Sequence, residues 1–238
     1  MKKSTQTTHR LGNQQGFTLV EIAIVLVIIG LLLGGVLKGQ ELIENSKVKR
    51  AAADLNGISA AYNAYLDRYR RIPGDDGPQA TLIARGGSWA AFPADGAGNN
   101  NGVLGPILLG ATFTGVGTND EGDAFWMQLK AAGFLTGNPA DVNAAALPRN
   151  PFNGLTGVTT DPTIMAAMPG TKICMGMVPG NLAATLDAQL DDGITNTGTL
   201  RATLGAAGTN TNPGAAVVPA AGTTGYNEAN EYTICRTL

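Results

Sequence analysis

Four carboxylates stand where a carboxylate needs a reason. Glu21 lies inside residues 17–37, a run that is otherwise apolar or Gly except for Thr18. Asp187, Asp191 and Asp192 crowd the end of a short helical pattern, where like charges four apart oppose each other and the helix dipole. Such a group suits calcium, which takes oxygen ligands; the alternative compensation is hydrogen bonding from the 195–197 turn, or Arg201. Residues 95–102 also look like a cation loop. They fail the EF-hand pattern, because Ala97 sits at the third position and Pro106 at the twelfth, where Glu is required. The acids of residues 119–123 read as capping for a following helix. Solvated or capping acids are therefore the favoured reading. Calcium at Asp187, Asp191 and Asp192 remains an expectation to be examined, and no other cofactor is expected.

Catalysis has little equipment. His9 is the one histidine of 238 residues, so removal of the first residues would leave no imidazole. Ser-His-Asp, Cys-His and His-ligated zinc chemistry would then be unavailable. Asp75, Asp76, Asp120, Glu121 and Asp123 are the acids a hydrolase might use, and no motif surrounds any of them. The formal net charge of −2 lacks the basic face that a nucleic-acid partner requires.

The elements that would carry these residues follow from periodicity. As a helix, the apolar run spans about 31 Å, close to the hydrocarbon thickness of a bilayer. It is read as membrane-spanning. From there the apolar positions continue as Val48, Ala52, Leu55, Ile58, Tyr62, Tyr65 and Tyr69, one stripe of an amphipathic helix. All twelve prolines lie from Pro73 onward. One helix over 17–71 is expected, with Gly30, Gly34, Gly35 and Gly39 as places to bend. Residues 72–103 read as a long irregular loop. Short helices are expected at 121–132, where Thr118 and Glu121 have capping-box spacing, and at 182–191. Strand candidates are 171–178, 199–204, 215–218 and 231–237. The class is α+β: a long N-terminal helix packed on a small antiparallel-sheet head with long loops. The tyrosine stripe is expected to face that sheet, with Trp89, Phe92 and Phe113 filling the base of the loop.

The boundary that looks like a processing site lies before the apolar run, in Gly16-Phe17-Thr18-Leu19-Val20-Glu21. No small-residue secretory cleavage site follows Leu37, where Lys38-Gly39-Gln40-Glu41 comes next. Here the chain resembles the type IV prepilins and the pseudopilins of type II secretion. In that family a basic leader ends in Gly, a prepilin peptidase cuts after it, the new N-terminal Phe is N-methylated, and a Glu follows four residues on. Gly16, Phe17 and Glu21 fill those places. The resemblance is tight over residues 10–50 and implies a pilin-like fold beyond them.

It divides the chain into a cleaved leader at 1–16, a long helix at 17–71 and a periplasmic head at 72–238. The helix itself divides into a transmembrane or filament-core half (17–37) and an amphipathic half (38–71). It implies other pilin or pseudopilin subunits, the prepilin peptidase, an inner-membrane platform protein and an assembly ATPase as partners. A type IV pilus subunit, a type II secretion pseudopilin and a minor tip pilin with a binding head fit alike; a membrane-anchored enzyme is the rival from another class.

Cleavage would create a protonated amine on Phe17 at the positive end of the helix, and Glu21 would offset it. Between stacked subunits, Glu21 would pair with a neighbour's amine and set the axial register. Lys2, Lys3 and Arg10 give the leader +3 and hold it on the cytoplasmic face of the bacterial inner membrane, against Lys47, Lys49 and Arg50 on the other side. The remaining 13 basic and 18 acidic side chains give an exported body of −5. In an oxidising compartment Cys174 and Cys235 are expected to form a disulfide, in preference to two buried thiols or a redox pair.

Overall fold

The computed structural model describes residues 16–104, 112–113, 121–165 and 168–238, apart from the side chain of Asp95. The leader charges, His9, Pro106, Thr118, Asn119 and Asp120 lie outside these residues. The chain divides into two compact units, Met1–Ile43 and Glu44–Leu238.

Helix α1 (Leu19–Tyr69) crosses that division without interruption, so none of its internal glycines breaks it. In the first unit Leu, Ile and Val stand exposed all round the helix, from Leu19 to Ile43. A surface this apolar is stable in water only when something covers it, and in hydrocarbon the helix satisfies its own backbone. In the second unit the buried positions are Val48, Ala51, Leu55, Ile58, Ala61 and Tyr65. That stripe mixes Ala51 and Ala61 with larger side chains, and Ala52, Tyr62 and Tyr69 lie at its half-buried margin. The helix ends where Arg70 takes a left-handed φ of 56°, three residues before Pro73.

The loop after α1 is more ordered than expected. It holds α2 (Gln79–Ile83) and two single turns of 3₁₀ helix, Gly87–Trp89 and Ala94–Gly96. Helix α3 (Glu121–Ala131) follows, and every one of its residues except the half-buried Asp123 is buried. Its surroundings therefore have to satisfy Gln128 and Lys130 internally. The Lys130 ammonium bonds Ala146 O at 2.7 Å, and burial pushes its pKa down.

Four antiparallel strands form one sheet in the order β1-β2-β4-β3: β1 (Thr156–Thr159), β2 (Lys172–Pro179), β3 (Leu200–Gly205) and β4 (Glu231–Thr237). Helix α4 (Gly180–Leu190) connects β2 towards β3. Cys174 faces Cys235 across β2 and β4, and the two buried sulfurs form a disulfide closing a separation of 61 residues. In the chain-entropy model such a loop is worth roughly 4 kcal/mol.

Two strand assignments change. Residues 156–159 form only a four-residue run, broken by Gly157 and preceded by the turn residues of 150–154, so no strand is expected there, yet they pair with β2. Gly157 is required there because a Cβ would lie 1.9 Å from Thr112 O. Residues 215–218 are not a strand. They sit between Pro213 and Pro219, and among the described residues they meet β3 through a single backbone bond, from Val217 N–H to Ala202 O.

The tyrosine stripe also finds other partners than the sheet. Tyr62 stacks on Phe125 of α3, Tyr65 meets Phe134, and Tyr69 meets Trp89 edge-on. Trp89 and Phe92 pack together beneath the loop as expected, with centroids 5.1 Å apart. Phe113 instead lies against Gly176 of β2.

Candidate functional site

The start of α1 shows how Glu21 is accommodated. Thr18 is the residue before the helix, and its hydroxyl accepts the Glu21 N–H at 3.2 Å. In return the Glu21 carboxylate accepts the Thr18 N–H at 2.8 Å and the Thr18 O–H at 2.9 Å, all through Oε2. This is a reciprocal capping box, which satisfies two backbone donors the helix cannot satisfy itself. The carboxylate lies at the positive end of the helix dipole, and these donors offset part of its cost in an apolar segment. Sequence reasoning missed Thr18 although its signal, Thr-x-x-Glu, is plain. The same spacing was read at Thr118 and Glu121 instead. Phe17, next to the box, is 84 % exposed.

Residues 11–37 match the family model of the prokaryotic N-terminal methylation motif. The chain carries the type IV prepilin and pseudopilin signature. The match ends at Leu37, so it covers the boundary at Gly16 and the apolar part of α1. No curated protein matches the chain. The motif implies assembly with other pilin subunits and processing by prepilin peptidase. The exposed apolar helix fits a membrane-anchored pilin.

Asp187, Asp191 and Asp192 do come together, with one oxygen of each within 4.8 Å of the others. Their surroundings explain how. Asp187, fully buried, accepts the Tyr226 hydroxyl at 2.7 Å and the Gly193 N–H at 3.2 Å. Asp191 accepts the Thr199 and Leu200 N–H groups through one oxygen, at 2.5 and 2.9 Å. Asp192 accepts the Ile194 N–H and the Thr197 hydroxyl. Five of the six carboxylate oxygens thus accept hydrogen bonds. Burial raises the Asp187 pKa to about 6, with the neighbouring aspartates adding to the rise and the hydrogen bonds opposing it. Arg201, weighed as a partner, bonds Met165 O and Gly198 O.

Of the other candidate acids, Asp75, Asp76 and Glu121 take part in building the loop over α3. Asp75 accepts the Asn101 and Gly102 N–H groups at 2.9 and 2.8 Å, so residues 95–102 wrap a carboxylate of the chain itself. Asp76 receives the Tyr65 phenol and the Arg85 guanidinium. Glu121 accepts the Asn99 N–H at 3.1 Å. Gln128 ties the region together: its amide oxygen accepts Gly74 N–H, and its amide nitrogen donates to Asp76 O and Gly96 O.

Proposed function

We propose that this chain is a structural subunit of a type IV pilus-like filament, cut after Gly16, methylated on the Phe17 amine and assembled through the apolar half of α1. The observation that supports this best is an overlap of two segments. The methylation motif covers residues 11–37, and the helix that begins at Leu19 exposes large apolar side chains up to Ile43. A bilayer covers that surface before assembly, and the same segment of neighbouring subunits covers it afterwards.

In this reading the leader stays cytoplasmic and residues 44–238 lie in the periplasm, where an oxidising environment fits the disulfide. Glu21 acts twice. Within the chain it closes the capping box through Oε2, and between chains its Oε1 receives the methylated amine of a neighbour. The inner-membrane platform protein and assembly ATPase act on the subunit from the membrane and the cytoplasm. The role is mechanical, with no reaction assigned to any side chain.

Mass spectrometry of the mature N-terminus tests the reading. The expected product begins with N-methyl-Phe17, and a chain retaining Met1 would overturn it. Abundance in sheared filaments separates a major pilin, which dominates that fraction, from a minor pilin or a pseudopilin.

A further inference from the structure

Lys47, Lys49 and Arg50 work against the proposed topology, because cations just past a span disfavour export of that side. Their place on the chain therefore needs a compensating role. All three side chains are exposed. None makes a hydrogen bond or ion pair among the described residues; Asp54, one turn on, acts on Arg50 without contact. Glu44 is the acid among residues 44–50, which leaves that stretch with a net charge of +2.

These charges stand close to the apolar segment. Leu42 and Ile43 are more than half exposed, and just before them the Lys38 ammonium pairs with Glu41 at 2.6 Å. The apolar surface thus continues to Ile43 past a pair that neutralises itself. As a helix, residues 17–43 span about 40 Å, which matches a bilayer with its headgroup layers. On the same helix Lys47, Lys49 and Arg50 follow Ile43 by about 6, 9 and 10.5 Å. Helical side chains slant back towards the N-terminus, so their cationic heads return towards the headgroups. They stand within about one Debye length of them, about 8 Å at physiological salt.

The arrangement fits a surface better than a neighbouring protein. At about 100° per residue, Lys49 and Arg50 lie about 200° and 300° round the helix from Lys47. The side between Lys47 and Lys49 belongs to Val48, which is buried in the head. The cations therefore occupy the other three sides. A protein lying along α1 would meet one of them, whereas a surface that the helix crosses meets all three.

We infer that Lys47, Lys49 and Arg50 bind the anionic phospholipid headgroups of the bilayer that α1 crosses, fixing the depth of the unassembled subunit. The inference rests on the membrane-anchored part of the reading above and does not require filament assembly.

Competition between two kinds of vesicle tests it. The full chain is diluted from detergent into phosphatidylcholine vesicles mixed with vesicles that also contain phosphatidylglycerol, one kind sucrose-loaded so that they separate on centrifugation. Wild type should favour the anionic vesicles about fivefold or more at low salt, and a Lys47→Gln, Lys49→Gln, Arg50→Gln variant about threefold less than wild type. The leader cations are common to both chains and drop out of that difference. High salt should abolish it. The melting temperature should not change, because the three side chains have no partner to lose. Each single Gln substitution should remove part of the preference, so the result does not depend on the triple variant folding.

Equal preference in wild type and variants overturns the inference and leaves the membrane anchor standing. A difference that survives high salt also overturns it. A chain that enters neither kind of vesicle overturns the anchor reading and this inference with it.

Discussion

The Tyr65 phenol donates to Asp76 Oδ2 at 2.7 Å, joining the long helix to the loop that follows it by a buried, charge-assisted bond. Arg85 bonds the same oxygen at 2.8 Å, and burial with the adjacent carboxylate raises the Tyr65 pKa far above its ordinary value. The phenol is therefore held in its protonated, donating form.

Tyr65→Phe removes that donor without changing the ring. Hydrogen bonds to charged groups contribute about 1.5–3 kcal/mol, so the variant should lose stability of that order. Denaturant unfolding of the full chain in detergent measures it. A loss below about 0.5 kcal/mol would mean that Arg85 alone satisfies Asp76.

At the other end of α1, the two roles of Glu21 separate by substitution. Glu21→Gln keeps a capping-box acceptor at this position and removes the charge. It should be cut and methylated normally yet yield few filaments, as should Glu21→Ala. Thr18→Val removes the cap while leaving the carboxylate, and should lower filament yield less. Mature N-terminal mass and sheared-filament yield are the two readouts. Normal filaments from Glu21→Gln would show that capping, and not charge pairing, is what assembly needs.

Breaking the Cys174–Cys235 bridge releases the chain constraint between β2 and β4. A Cys174→Ala, Cys235→Ala double variant should lose about 2–5 kcal/mol. Thermal unfolding of wild type with and without reductant should show the same drop, and reductant should leave the variant unchanged.

Asp187 makes stability depend on pH in an unusual direction. Its folded pKa of about 6 lies above the unfolded value of about 3.9, so the folded state holds a proton that the unfolded state has released. The stability this contributes is full below about pH 4 and is lost as pH rises through about 6, amounting to about 2–3 kcal/mol. Asp187→Asn lacks this titration. The wild-type minus variant difference in unfolding free energy should therefore fall between pH 4.5 and 7. A difference independent of pH would place the titration elsewhere.

Much of the fold was legible because its signals are local. β4 has the bounds read from alternation, and β2, β3, α3 and α4 shift by one or two residues. β1 was not legible, since Thr156-Gly157-Val158-Thr159 becomes a strand only because β2 lies alongside. The reverse holds for residues 215–218, which have apolar character but, held between Pro213 and Pro219, make one backbone bond to β3 and do not extend it into a ladder.

The motif around Gly16, Phe17 and Glu21 was readable because such a motif is a linear segment defined by residue type and spacing alone. Even the Thr18–Glu21 cap is local. The partners of Asp75, Asp76 and Asp187 are different in kind. Asp76 is reached by Tyr65 and Arg85, Asp75 by the backbone of residues 101 and 102, and Asp187 by Tyr226, thirty-nine residues away. By itself the sequence determined that one end of the chain is apolar and carries the methylation motif, because hydrophobicity and motif are properties of adjacent residues. Which carboxylates became internal struts was decided only by tertiary structure, since a buried charge is satisfied by whatever donors folding brings to it.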